Sequence, residues 1–353
     1  MSVTINDVAR QAGVSMKTVS RVINNEPTVK KETFDRVTAA VKALNYQPNH
    51  AARNLAGTRS YSIAFVYDNP NAYYVIDMQN GILSECRRQG YELLIHPYNH
   101  QSENIAEELT NLVRHSRVSG LVLTPPFSEM PLVCKTLESI GINFVRIISG
   151  TEKGKHAHTC IFVDDHAAAY NLTQHLIELG HQRIGFLCGG EEHRSTPERR
   201  QGYEAALADN QIKVDKKLVL EGEYSFDSGV KGAKKLLSRK DAPTAIFASN
   251  DEMAAGALFA ARLMGVSVPE QVSIVGFEDS PFSRQTWPQL TTAHQPNKLI
   301  AQQATGLLIS KIREQMHPNA KQAPTQRHFI PELVVRESSA TPRSNALTID
   351  SNA

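Results

Sequence analysis

The stretch QAGVSMKTVSRVINN at residues 11–25 decides how the chain begins. It sets a small-residue turn, AGV at 12–14, between two short amphipathic runs. Before it, TINDVARQ (4–11) spaces Ile5, Val8 and Ala9 as one helical face, with Thr4 as N-cap. After it, Ser15 caps a second helix whose Val19, Val22 and Ile23 turn inward. The same geometry puts Lys17, Ser20, Arg21 and Asn24 together on the outer face. A third helix, about Lys30 to Leu44, buries Phe34, Val37, Val41 and Leu44. Three helices in under 50 residues, with a tight turn between the first two, predict an all-α helix-turn-helix domain over 1–45.

Charge sets this head apart. Residues 1–60 carry nine Lys/Arg against four Asp/Glu, a balance of +5; the remainder carries 29 against 32, or −3. A basic head on a mildly acidic body points to a polyanion partner for the head alone. Next comes NYQPNHAARNLAGTRS (45–60), where Pro48 stops one helix and Asn49 caps a short one through about Leu55 before Gly57. So short a helix is marginal on its own, and 46–60 reads as a hinge.

From Tyr61 the rhythm changes. SIAFVY, YELLIH, GLVLTP, FVRII, CIFV, RIGFLC, TAIFAS and VSIVGF alternate with amphipathic segments of helical length. Apolar strands separated by helices predict parallel sheets covered on both faces. The pattern restarts near residue 160, which gives two α/β lobes. The expected boundaries are 61–160 with 292–322 for the first lobe, and 161–291 with 323–337 for the second. Residues 338–353 read as a disordered tail. Ligands of such sheets sit off the strand carboxyl ends, here between the lobes.

Other classes find little support. No stretch approaches the ~18 apolar residues of a membrane span, and the N-terminus lacks the build of an export signal, so a cytoplasmic protein is expected. The four cysteines are scattered without a CxxC pair, which favours reduced thiols. No GxGxxG follows a strand, and no GxxxxGK[ST] or GxSxG occurs; neither an enzyme nor a cofactor is expected. HAH at 156–158 has no acidic or cysteine ligand fixed beside it, so no metal is expected.

Three segments together resemble the LacI/GalR family of bacterial transcription regulators: TINDVARQAGVSMKTVSRVINN, LNYQPNHAARNLAG and VGFEDSPFSRQTWPQLTTAHQP. The resemblance runs from Thr4 to Arg336 and implies a periplasmic-binding-protein-like effector domain behind the helix-turn-helix. It further implies that the second helix enters the major groove, with Met16, Lys17 and Arg21 at base-reading positions. Lys and Arg suit guanine O6 and N7, and Met16 suits a thymine methyl. Ser15, Thr18 and Ser20 are placed to anchor phosphates, and Thr4, Asn24 and Asn49 complete the DNA-facing set. Leu55 matches a leucine that two paired hinge helices push into the minor groove. The implied partners are a palindromic double-stranded operator, a homodimer mate and a small-molecule effector. No apolar heptad follows to tie dimers into a tetramer.

The resemblance also implies a cleft lined by Asp68, Asn69, Tyr73, Tyr74, Arg199, Asn250, Asp251, Glu278, Trp287 and Gln295. Several admit plainer readings: Asn250 as a helix cap, Tyr73 and Tyr74 as core, Trp287 as a buried anchor. Glu278 stands where aspartate is usual, which changes the reach into the pocket. Carboxylate, amide and guanidinium groups suit sugar hydroxyls. The expectation is therefore a repressor of carbohydrate-utilisation genes released by a sugar. The alternative is a corepressed regulator answering to a purine or a phosphosugar; further off lies a binding protein or enzyme without DNA function.

Overall fold

A computed structural model gives the fold; it describes residues 3–23, 29–46, 60–69, 71–151, 158–316 and 325–342. The head contains α1 (Ile5–Ala12), α2 (Met16–Ile23) and α3 (Lys31–Ala43). Asp7 closes the start of α1 by accepting from the Thr4 amide at 2.9 Å and the Thr4 hydroxyl at 2.7 Å. Gly13 ends that helix at φ +63°, the left-handed conformation that glycine adopts without strain. Ser15 Oγ then accepts from the Thr18 amide at 3.2 Å and caps α2. Val8, Val19, Val22 and Val37 form the core that joins the three.

The first lobe holds β1 (Ser62–Tyr67), α4 (Ala72–Gln89), β2 (Glu92–Pro97), α5 (Ile105–Ser116), β3 (Gly120–Leu123), α6 (Pro131–Ser139), β4 (Asn143–Ser149) and β5 (Thr159–Val163). The second holds α7 (Asp165–Glu178), β6 (Ile184–Leu187), α8 (Ser195–Asp209), β7 (Val219–Leu220), α9 (Phe226–Leu237), β8 (Ala245–Ala248), α10 (Asp251–Leu263), β9 (Ser273–Val275) and α11 (Phe282–Gln285). The chain returns through β10 (Thr292–His294), α12 (Asn297–Met316), β11 (Gln326–Phe329) and β12 (Glu332–Val334). All pairings in the two main sheets are parallel, in the orders β11-β5-β4-β3-β1-β2 and β7-β6-β8-β9. Each sheet is buried between helices, as its unbroken apolar strands require.

In the first lobe α12 packs along α4, with Met78 and Ile82 against Ile300 and Ala304. Their approach depends on Gly81, where a Cβ would lie 2.2 Å from the Lys298 carbonyl oxygen. In the second lobe Phe186, Phe247, Leu172 and Tyr203 fill one face of the sheet and Leu236, Met253 and Ala257 the other.

Two expected boundaries move. The first lobe does not end at 160: β5 continues to Val163 in register with β4, and the chain crosses at Asp164. Nor does 323–337 fall wholly in the second lobe. β11 pairs with β5, Arg327 opposite Ile161, and only then does β12 pair antiparallel with β10. The open edge of β5 takes the strand because its backbone groups need partners. The tail is also ordered further than its composition suggests. Ser338 is fully buried, its amide donating to the Gln289 carbonyl at 3.0 Å, and the Ala340 amide donates to Ser273 Oγ at 3.0 Å. Backbone hydrogen bonding overrides polar composition there.

Candidate ligand cleft and nucleic-acid interface

The lobes face each other across a cleft with a cavity volume of about 50 Å³. Its centre is Arg199, on the second turn of α8 and 4 % exposed. Arg199 Nε donates to Asp165 Oδ1 at 2.7 Å and one terminal nitrogen donates to the Ser249 carbonyl at 2.5 Å. Its guanidinium lies 3.7 Å above the Phe277 ring. Burial works against its charge, but the Asp165 carboxylate beside it outweighs that and holds its pKa above the ordinary value. Asp165 also accepts from the Ser149 hydroxyl of the first lobe.

Glu278 follows β9 with φ +99°, a conformation costly for a side-chain-bearing residue. The backbone is fixed there by Glu278 N donating to the Ala293 carbonyl at 2.8 Å. Its carboxylate reaches the opposite lobe, where Asn71 Nδ2 donates to Oε2 at 2.5 Å. Asn71 Oδ1 caps α4, accepting from the amides of Tyr73 and Tyr74. Burial pushes the Glu278 carboxyl up to about 8, against the pull of Arg199. Burial likewise raises Glu129 to about 7, although it accepts from the amides of Ser149 (3.0 Å) and Arg194 (3.2 Å).

Of the residues named for the effector site, Asn69, Tyr74, Arg199, Asn250, Glu278 and Gln295 line the cleft. Asn250 is also the cap of α10, its Oδ1 accepting from Met253 N at 2.8 Å. Four expected residues lie elsewhere. Asp68 accepts from the His100 amide at 2.8 Å and pairs with its ring at 2.7 Å. Tyr73 sets its ring edge-on to Phe282, centroids 5.5 Å apart. Asp251 is fully buried beneath the cleft, tying Ser280 N and Thr292 Oγ1 at 2.6 Å each; burial raises it to about 7. Trp287 is neither cleft wall nor buried anchor. It is 86 % exposed, beside an apolar groove of the second lobe that Phe259 and Val266 also line.

Sequence reasoning missed Asn71, Asp165, His193, Ser195, Tyr224 and the aliphatic wall of Ile147, Ile148 and Val163. One signal was available: Asp165 follows the carboxyl end of strand CIFV, as Asn250 follows its own strand.

In the head, Met16, Lys17 and Arg21 are exposed on α2, with Met16 at 51 %, while Thr18 and Ser20 are half-buried. Ser15 and Thr18 hydroxyls bond each other at 3.0 Å, and Thr4 is engaged by Asp7. Asn24, Asn49 and Leu55 lie outside the described residues.

A helical head with exposed basic residues on its second helix, joined to a two-lobed receptor with a polar cleft, defines a ligand-responsive DNA-binding regulator. Residues 4–49 match the bacterial regulatory proteins of the lacI family, and residues 173–339 match the periplasmic binding protein-like domain. The chain belongs to the lacI family of bacterial regulatory proteins. Among its relatives, the HTH-type transcriptional repressor PurR of Haemophilus influenzae (strain PittEE) is 33% identical over 95% of this chain and 98% of that protein. The HTH-type transcriptional regulator GalR of Escherichia coli (strain K12) is 33% identical over 97% of each. Among solved structures, the lac repressor dimer bound to operator and the anti-inducer ONPF superposes with a TM-score of 0.73. It is 28% identical, with 96% of this chain and all of that one covered. The transcriptional regulator CelR–cellobiose complex superposes with a TM-score of 0.71, at 29% identity and the same coverage. No described helix is long and apolar enough to cross a membrane.

Proposed function

We propose that this chain is a cytoplasmic repressor of carbohydrate-utilisation genes that releases a palindromic operator when a sugar enters the cleft. The observation that carries the sugar is the make-up of the cleft. Guanidinium, carboxyl, amide and hydroxyl groups converge on an aliphatic wall, which suits a ring with polar edges and apolar faces. A purine asks instead for flat aromatic faces. Of the two aromatics that would serve a purine, Tyr73 and Tyr74, Tyr73 packs on Phe282 away from the cleft, while Tyr74 lines it. Tyr224 is held by Ser195 and Thr196 through its hydroxyl.

The DNA-facing set is Met16, Lys17 and Arg21 for bases, with Thr4, Ser15, Thr18, Ser20, Asn24 and Asn49 for phosphates and Leu55 for the minor groove. The effector set is Asn69, Tyr74, Arg199, Asn250, Glu278 and Gln295, joined by Asn71, Asp165 and His193. A homodimer matches the palindrome. The exposed apolar side chains Phe259, Leu263 and Trp287 on one face of the second lobe supply a surface for the second copy.

To test this, operator fragments selected from random DNA are bound to the full-length protein and followed by fluorescence anisotropy. Sugars, hypoxanthine and guanine are then added. Release by a sugar supports the reading; tighter binding with a purine replaces it with corepression. Trp287 fluorescence is a reporter of dimerisation in this scheme and not of the cleft.

A further inference from the structure

We propose that the cleft selects an uncharged polyhydroxy ligand over its phosphorylated or carboxylated derivatives, with Glu278 and Gln295 setting the preference. This rests on the reading of the cleft as a small-molecule site. Among the described lining residues the only guanidinium is that of Arg199, and it is neutralised before any ligand arrives. It is paired with Asp165 at 2.7 Å, bonded to the Ser249 carbonyl and stacked on Phe277. His193 is no substitute cation, because burial draws its pKa down. Three helix starts near the cleft are capped by side chains: Asn71 caps α4, Asp164 caps α7 with Ala167 N at 2.9 Å, and Asn250 caps α10. The start of α8 has no side-chain cap, but Arg194 N donates to Glu129 at 3.2 Å and Thr196 N to the His193 carbonyl at 2.9 Å.

The groups that face Glu278 are Asn71 and Tyr74 from α4, Asp165 from α7, Arg199 from α8 and Asp251 from α10. An anion entering here loses water, and the one guanidinium it meets is already paired with Asp165. A hydroxyl finds the opposite. Gln295 is 7 % exposed and its Oε1 has no hydrogen-bond partner among the described residues, while its Nε2 donates to Asn297 Oδ1 at 2.7 Å. That buried acceptor calls for an O–H or N–H from a ligand. Glu278 accepts from Asn71 with one oxygen, and its burial favours the protonated carboxyl, whose O–H on the other oxygen can donate. The extra methylene of glutamate over aspartate is what carries the carboxyl across to Asn71.

The test is calorimetry on the full-length protein with sets that differ only in charge: glucose, glucose 6-phosphate and glucuronate; galactose, galactose 6-phosphate and galacturonate; ribose and ribose 5-phosphate. Whichever set binds is expected to favour its neutral member by about tenfold or more. Gln295→Leu is expected to weaken that member while Glu278→Gln keeps the preference. An anionic member that binds as tightly overturns the proposal, and unchanged affinity in Gln295→Leu overturns the role of Gln295. A second arm needs no sugar: thermal unfolding in inorganic phosphate against chloride at matched ionic strength. No phosphate-specific stabilisation is expected. A phosphate-specific rise in Tm that disappears in Arg199→Lys overturns the proposal. If no sugar binds, the carbohydrate reading fails by itself, and the phosphate arm still decides whether the cleft accepts an anion.

Discussion

The two walls of the cleft are built from different chemistry. The first lobe contributes Pro125, Ile147, Ile148 and Val163, relieved only by Asn69, Asn71, Ser149 and Tyr74. The second contributes Asp165, His193, Arg199 and Glu278, with no aliphatic side chain among its described lining residues. The difference follows from where each wall comes from. Ile147, Ile148 and Val163 belong to β4 and β5, whose faces are buried in a parallel sheet. Asp165 and Arg199 sit at or near helix starts, and Glu278 sits in the loop after β9. The second lobe therefore orients a ligand by polar contacts, and the first closes an apolar lid on its face. Few groups span both: Asn71 with Glu278, Ser149 with Asp165, Glu129 with Arg194.

The sharpest way to break this asymmetry is Arg199→Ala. It leaves Asp165, 2 % exposed, without its partner, and breaking a buried pair from one side costs about 3–5 kcal/mol. Urea unfolding of the variant should show that loss alongside loss of ligand response. Stability close to that of the unaltered protein would mean that the polar wall does not depend on its cation.

Next in size is a pH effect confined to the acids around that wall. Glu278 is raised to about 8, and Glu129 and Asp251 to about 7. Raised folded-state values mean that the folded chain binds more protons than the unfolded one. The stability from these acids is full near and below their ordinary values, and it is lost as pH rises through about 7 to 8. Each unit of upward shift corresponds to at most about 1.4 kcal/mol. Tm is expected to fall between about pH 6 and about pH 9, and less steeply in Glu278→Gln, which holds no proton to lose. Identical slopes would remove Glu278 from the account.

Set beside the receptor, the head was far more legible from sequence. Its helices obey local rules: Ser15 caps, Gly13 turns left-handed, and the valines repeat at helical spacing, so each element lay within a residue or so of its expectation. All eight apolar strands likewise formed. The cleft was legible only in part, because its partners meet over long separations: Arg199 with Asp165 across 34 positions, Asn71 with Glu278 across 207. Nothing local marks Asn71 as the residue that ties the lobes. Trp287 was misplaced for the same reason. Nearness to Glu278 in sequence says little once the chain turns through the short α11 between them.

The head gives the third prediction. Lys17 is exposed on α2 with its neighbours Met16 and Arg21. Lys17→Ala should relax discrimination at one operator position per half-site by ~1–3 kcal/mol, measured by anisotropy on single-base operator variants. Equal weakening on every variant would assign it to phosphate.

The smallest change addresses the apolar wall. Ile148 is fully buried in β4 yet borders the cleft, so Ile148→Val removes one methyl where two functions overlap. As core it should lower stability by about 0.5–1.5 kcal/mol. As wall it should weaken a neutral ligand while leaving the polar contacts of the second lobe in place. Calorimetry separates the two, because lost apolar contact makes the heat-capacity change of binding less negative. Reduced stability with binding unchanged in affinity and heat capacity would show that the methyl serves the sheet alone. The first lobe would then act on the ligand through Asn69, Asn71 and Ser149, and the contrast between the walls would be one of packing and not of recognition.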